Sequence, residues 1–166
     1  MGLTSVDLTN NEGSIAKSEY ILRLDADDYL HQKALEILFN EVKSSDNISM
    51  VYGDYIVIGK DSKKLHLEQR RDPSKMKLFD TPAHGACTLF KTKYLKEAGA
   101  YDPKITCQDG YDIWLKMIPF GNPKHINLPI FYYRQHDSNL TKNRTKIINT
   151  RSDIIHKNTS KKYDID

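Results

Sequence analysis

The stretch Tyr20-Ile21-Leu22-Arg23-Leu24-Asp25-Ala26-Asp27-Asp28-Tyr29 decides how this chain is to be read. Its first half is largely apolar, and Tyr20 to Leu24 reads as a short buried strand. The residues that follow, Leu30, Ala34, Leu35, Leu38 and Val42, have the spacing of an amphipathic helix. The three aspartates therefore fall on a strand-to-helix turn, and ligands of open α/β sheets bind outside the carboxyl ends of the strands. Carboxylates packed this closely repel one another unless something positive joins them. A hard cation shared with phosphate oxygens suits the cluster. Magnesium takes one or two carboxylates plus substrate phosphates, and manganese accepts the same oxygen ligands. Helix capping by Asp27 or Asp28 accounts for one or two acids at such a turn, and poorly for three.

With 166 residues, 39% apolar and 28% charged, the chain is expected to form one soluble globular domain. Its net charge of +3 is too small, and its basic residues too scattered, to argue for nucleic acid as a partner. Cys87 and Cys107 show neither zinc spacing nor a disulfide framework, and the N-terminus resembles neither a signal peptide nor a membrane span. A cytoplasmic location is expected. Near the C-terminus, Lys142, Arg144, Lys146, Arg151, Lys157, Lys161 and Lys162 oppose only Asp153 before the final acidic residues. Such a run is either a solvated face or a contact with anionic lipid headgroups, which would bring the protein to the inner face of a membrane.

Residues 1–18 are polar and contain no strand-helix-strand unit, with Asn10, Asn11 and Gly13 marking a turn. Beyond the first helix, Ile48 to Ile58 alternates as a strand, with Gly53 at a bulge and Asp54 near the middle. Gly59 to Lys64 reads as a turn. Leu65 to Pro82 reads as a mostly irregular excursion with one helical turn, and long loops of this kind are often functional. Ala86 to Phe90 has the look of a strand, followed by a helix from Lys93 to Ala98 that Thr92 caps and Gly99 closes. The spacing predicts a further helix over Asp109 to Met117, stopped by Gly121, Asn122 and Pro123. Two extended pieces follow, Lys124 to Leu128 and Ile130 to Arg134, divided by Pro129.

A second acidic cluster opens the Asp109 helix. Asp109 and Asp112 are neighbours on one helical face. An acid in a first turn is favoured by the helix dipole, and if that turn faces a cleft it can take a proton from a substrate hydroxyl. Downstream, Tyr132-Tyr133-Arg134-Gln135-His136 closes an apolar strand with a guanidinium and an imidazole at its mouth. His136 is a candidate metal ligand, with an ordinary structural histidine as the alternative. Trp114, beside Ile113 and Leu115, reads as core. His84 reads as a turn histidine. Alternation along the strand lets at most one of Tyr132 and Tyr133 reach a cleft.

Taken in order, four stretches resemble the later part of a family 2 glycosyltransferase of the GT-A type. Ala16 to Asp28 is similar to the strand that leads into the family's metal-binding DxD motif, and His84-Gly85-Ala86 through Gly99-Ala100-Tyr101-Asp102 to its acceptor-side segment. Asp109-Gly110-Tyr111-Asp112-Ile113-Trp114-Leu115 resembles its catalytic-base helix, and Tyr133 to Leu140 its C-terminal loop, which can lend a histidine to the metal. The resemblance implies an α/β fold, a GT-A-like mixed sheet flanked by helices that lacks its first elements. A partial domain over residues 1–141 is expected, followed by a basic tail over 142–166 that is helical or disordered.

Carried over by position, the resemblance implies Asp25 near the donor ribose and the metal, Asp27 as the main metal carboxylate, Asp28 in support, and His136 completing the metal or diphosphate contacts. The cofactor would be Mn2+ or Mg2+. Asp109 would be the base, with Asp112 as its rival, because the family often has Glu-Asp where this chain, aligned on Trp114, reads Asp109-Gly110. His84 and Gly85 fall where the family meets diphosphate or acceptor, and Trp114 and Arg134 are further substrate-contact candidates. The implied reaction is an inverting displacement in which a deprotonated sugar hydroxyl attacks the anomeric carbon of a nucleotide-sugar. Its acceptor would be a sugar or a lipid-linked sugar, in surface polysaccharide or glycoconjugate synthesis. The family opens with a strand, a helix and a second strand around the nucleotide base, and nothing before Asn10 resembles them. Two expectations remain open: the catalytic and acceptor half of a transferase, with a partner chain supplying the missing elements, or a non-catalytic module that docks on a partner. A phosphotransferase would use the same carboxylates, but the chain has no Gly-rich phosphate loop.

Overall fold

The computed structural model describes residues 17–75, 85–136 and 144–160. Within them, the apolar run at the start forms β1 (Tyr20–Leu22), and the chain crosses the end of the sheet through the aspartate turn to β2 (Tyr29–Leu30). Then come α1 (Ala34–Lys43), β3 (Ile48–Ile58), β4 (Lys64–Glu68), a 3-10 turn at Pro73–Lys75, β5 (Thr88–Lys91) and α2 (Thr92–Glu97). The described chain continues with α3 (Asp109–Met117), a 3-10 turn at Ile118–Phe120, β6 (Asn122–Arg134) and α4 (Arg144–Ser160).

The strands form a mixed sheet in the order β1-β5-β3-β6-β2, with β4 paired to β3 beside that path. Among the described residues, the β3–β6 pairing is parallel and the others are antiparallel. Period-two alternation sends consecutive side chains to opposite faces, and both faces are covered. Tyr20, Leu22, Val51 and Leu89 pack with Ala34, Leu38 and Val42 of α1 on one side. Ile21, Met50, Tyr52 and Phe90 pack with Leu95 of α2 and Ile113, Trp114 and Met117 of α3 on the other. Each fully buried side chain of this size contributes roughly 1.5–3 kcal/mol of transfer free energy. The result is a GT-A-like α/β fold.

Local departures from the sequence reading have identifiable causes. α1 starts at Ala34 because Leu30 pairs with Phe131 in β2. The segment after Lys63 is a strand where an irregular path was expected, as Lys64–Glu68 pairs along β3. All five of its residues are exposed, so burial imposes no pattern on it. Pro129 does not divide β6. The ladder shifts register between Gly53 and Tyr55, where Gly53 lies opposite Ile126 and Asp54 opposite Pro129, so β6 bulges where proline has no N–H to give. Glycine is required at position 53, since a Cβ there would lie 2.8 Å from the Leu128 carbonyl oxygen and 2.9 Å from Ile130 Cγ1. Thr92 is the first residue of α2 and not its cap, and its hydroxyl is buried with no hydrogen-bond partner. Gly99 does close that helix, in the left-handed region at φ +83°.

The C-terminal basic segment forms α4, which lies against α3. Ile154 is buried, Arg151 Nε donates to Gln108 Oε1 at 2.7 Å, and Lys157 Nζ meets Asp102 Oδ2 at 2.5 Å. Two of its cations are thus spent within the fold. No helix among the described residues is long and apolar enough to cross a membrane.

Candidate active site

The β2–β6 pairing builds the first half of the site. Tyr29 lies opposite Tyr132 in antiparallel register, so residues just before β2 meet residues just after Tyr132. Asp28 Oδ1 accepts the Arg134 backbone N–H at 2.9 Å, the Asp27 carbonyl accepts Arg134 Nε at 3.1 Å, and Asp27 Oδ2 lies 2.9 Å from His136 Nε2. Asp27 and His136 remain reachable from solvent, their side chains 39% and 29% exposed. Asp28 is different. Burial pushes its carboxyl up to about 7, against the pull of the Arg134 N–H, with Asp25 and Asp27 adding to the rise. Its Oδ2 is buried with no hydrogen-bond partner.

Arg23 builds the second half. It follows β1 directly, and its Nε lies 3.1 Å from Asp25 Oδ1 while its Nη1 pairs with Asp109 Oδ2 at the start of α3. Burial works against this cation, but Tyr101, Asp109 and Asp25 outweigh it and hold the guanidinium above its ordinary pKa. The guanidinium lies over the Tyr101 ring, 5.4 Å from its centre. Close backbone approach makes room for it: a Cβ on Gly85 would lie 3.0 Å from Gly110 Cα and 3.4 Å from Arg23 Nη1. The Cys87 N–H also donates to the Arg23 carbonyl at 2.7 Å.

The two candidate bases separate clearly. Asp109 keeps a side chain 30% exposed at the site. Asp112 is 1% exposed, paired with Lys116 Nζ at 2.5 Å and bonded by Asn158 Nδ2 of α4 at 3.2 Å, so no acceptor reaches it. Trp114 is 6% exposed and packs edge-on against Tyr52 in the core, which corrects its inclusion among substrate contacts. Arg134 is a brace: besides Asp27, its guanidinium donates to the carbonyls of Gly59 and Lys60 and to Ser62 Oγ. Gly85 lies beside Arg23. His84 lies outside the described residues.

Among the described residues, no three His, Cys, Asp or Glu side chains are gathered as a metal site. Asp25, expected beside Asp27, is turned to Arg23. What the turn offers is one carboxylate and one imidazole at hydrogen-bond distance. Such a pair would supply only part of the shell of a divalent cation, the carboxylate being the ligand that suits manganese or magnesium, with phosphate oxygens and water needed for the rest.

Arg23 and the α4 contacts escaped the sequence reading. The signal for Arg23 was present, a charge interrupting an apolar strand run, which burial makes costly unless it is paired. Nothing in the sequence near Gln108 announces that Arg151 holds it, although Gln108 adopts a left-handed conformation (φ +60°) immediately before Asp109.

Sheet order and helices on both faces give a GT-A-like α/β fold. Solved structures with this fold include that of Staphylococcus aureus TarS, a glycosyltransferase. TarS residues 1–349 in complex with UDP-GlcNAc match at a TM-score of 0.59 and 11% identity, over 85% of this chain and 44% of that one. A second structure of TarS residues 1–349 matches at a TM-score of 0.53 and 13% identity, over 72% of this chain and 37% of that one. TarS itself matches at 0.54 and 11% identity, over 90% and 29%. The chain thus spans less than half the length of the structures it matches. No family model and no curated protein matches the sequence.

Proposed function

We propose that this chain is the catalytic and acceptor-binding part of a metal-dependent, inverting glycosyltransferase. The observation that carries the reading is the meeting of Asp27 and His136, from opposite ends of the sequence, on the turn that Arg23 joins to Asp109. Asp27 and His136 would hold a manganese or magnesium ion. Bound there, the ion supplies Lewis-acid stabilisation of charge on a departing nucleoside diphosphate.

The chain's own groups do the rest. Asp109 accepts the proton of the acceptor hydroxyl; that oxygen forms a bond to the anomeric carbon, and the electron pair of the breaking C–O bond leaves with the diphosphate. Asp28, buried behind the turn, fixes the start of the Arg134 segment and so the position of His136. Arg134 ties the turn to residues 59–62. The TarS complex with UDP-GlcNAc makes a uridine-diphosphate sugar the first donor to try. The acceptor is a sugar hydroxyl, free or lipid-linked, in surface polysaccharide or glycoconjugate synthesis at the cytoplasmic side.

Release of nucleoside diphosphate from a panel of nucleotide-sugars, with manganese or magnesium and with and without simple sugar acceptors, tests the reading. Metal-dependent release that Asp27→Ala removes supports it. No release from any donor, with no nucleoside diphosphate binding by calorimetry, overturns it in favour of a docking module.

A further inference from the structure

We propose that Arg23 is a positioning residue for the transfer reaction, a latch that orients the base Asp109 by tying it to Asp25; this rests on the transferase reading above. The guanidinium engages two carboxylates from separate elements, Asp25 after β1 and Asp109 at the head of α3. An arginine does this better than a lysine because its planar fork presents several donors in fixed directions. By occupying Asp109 Oδ2, Arg23 stops the carboxylate from rotating and leaves Oδ1 as the oxygen that can meet an acceptor hydroxyl. A nucleophile's base oriented by a third group is a recurring arrangement in catalytic sites.

The surroundings are built around this contact. Arg23 is held from its backbone by Cys87 and from its side-chain face by the Tyr101 ring. Gly85 and Gly110 pass each other so closely that a side chain on Gly85 would press on both Gly110 and the guanidinium. From the opposite side, Arg151 of α4 fixes Gln108, so the head of α3 is held by one arginine on each flank.

The test combines a readout independent of turnover with one that depends on it. In the whole chain, 15N NMR of arginine side chains should show restricted rotation of the Arg23 guanidinium, released in Asp109→Asn. Steady-state kinetics of Arg23→Gln should show kcat lowered about 10²-fold, the scale of a misplaced catalytic group, with the donor KM changed less than about threefold. Arg23→Lys should recover part of the loss, and added methylguanidine should restore turnover in Arg23→Ala. A freely rotating guanidinium overturns the latch. So does an Arg23→Gln protein that melts lower but keeps wild-type kcat, since the arginine is then structural, or one whose loss lies in the donor KM, since it is then a substrate ligand. A wild-type chain with a rigid Arg23 and no turnover overturns the transferase reading and the positioning role with it, while the contact itself stands.

Discussion

His136 Nε2 lies 2.9 Å from Asp27 Oδ2 across 109 positions of sequence. The pairing of β2 with β6 brings the two segments together. With Tyr29 opposite Tyr132, extending the antiparallel register brings Asp27 opposite Arg134, the last residue of β6, and His136 follows two residues beyond it. Any change that slips β2 along β6 separates the two groups.

Removing either member of that pair should therefore act on catalysis and leave the fold intact, because both are partly exposed and lie outside the two cores. Asp27→Ala and His136→Ala are each expected to lower metal-dependent turnover by more than about 10²-fold, the consequence of losing several kcal/mol of charge stabilisation. Nucleotide-sugar turnover against manganese concentration, beside a thermal melt, measures both. A large fall in melting temperature with unaltered turnover of the folded protein would refute the assignment.

Asp109 and Asp112 should part in opposite directions. Asp109→Asn is expected to cost about 10²–10⁴ in kcat, the range for a general base, with little change in stability. Asp112→Ala leaves Lys116 beside an emptied buried site and should destabilise by about 3 kcal/mol. Urea denaturation together with kcat separates them, and an Asp112 variant that folds normally but loses its activity would reverse the assignment.

Gly53→Ala tests the β6 bulge. The added methyl meets the Leu128 carbonyl and Ile130 at distances real side chains do not adopt, and overpacking of this kind costs about 1–3 kcal/mol. Because Ile130 immediately precedes Phe131, which pairs with Leu30 of β2, metal-dependent turnover should fall as well. Unchanged stability would mean the bulge tolerates a Cβ.

Burial pushes the Cys87 thiol up from 9.0 to about 12, with Arg70 opposing the rise and Asp28 adding to it. The folded state thus holds this proton more tightly than the unfolded one. Its contribution to stability is complete below about pH 9 and is lost as pH rises toward 12. The denaturation midpoint should fall over that window, with a shallower slope in Cys87→Ala. A thiol reagent at pH 8 should modify Cys87 only once the protein unfolds; rapid modification of the native protein would contradict the burial.

Much of this molecule is written locally. β3 and α3 lie where the sequence pattern places them, over Ile48–Ile58 and Asp109–Met117, even though β3 is buried on both of its faces. The same logic failed for β4, whose side chains are all exposed and whose existence depends on hydrogen bonds to β3. It failed at Pro129 too, where a bulge in the partner ladder lets a proline remain within a strand.

For the site, residue order marked Asp27, Asp109 and His136 as candidates beside capping and structural roles, and the fold sets Asp27 against His136 and Asp109 against Arg23. Sequence could not decide between Asp109 and Asp112. Both begin the same helix, and only the docking of α4, which buries Asp112 under Asn158 and leaves Asp109 open, tells them apart. Nor could it show that Asp25 turns away from Asp27 toward Arg23, because the partner that draws it there also binds Asp109, 86 residues away. Local sequence sets which groups are available; tertiary packing decides which of them meet, because desolvation and charge pairing act across space without regard to chain distance.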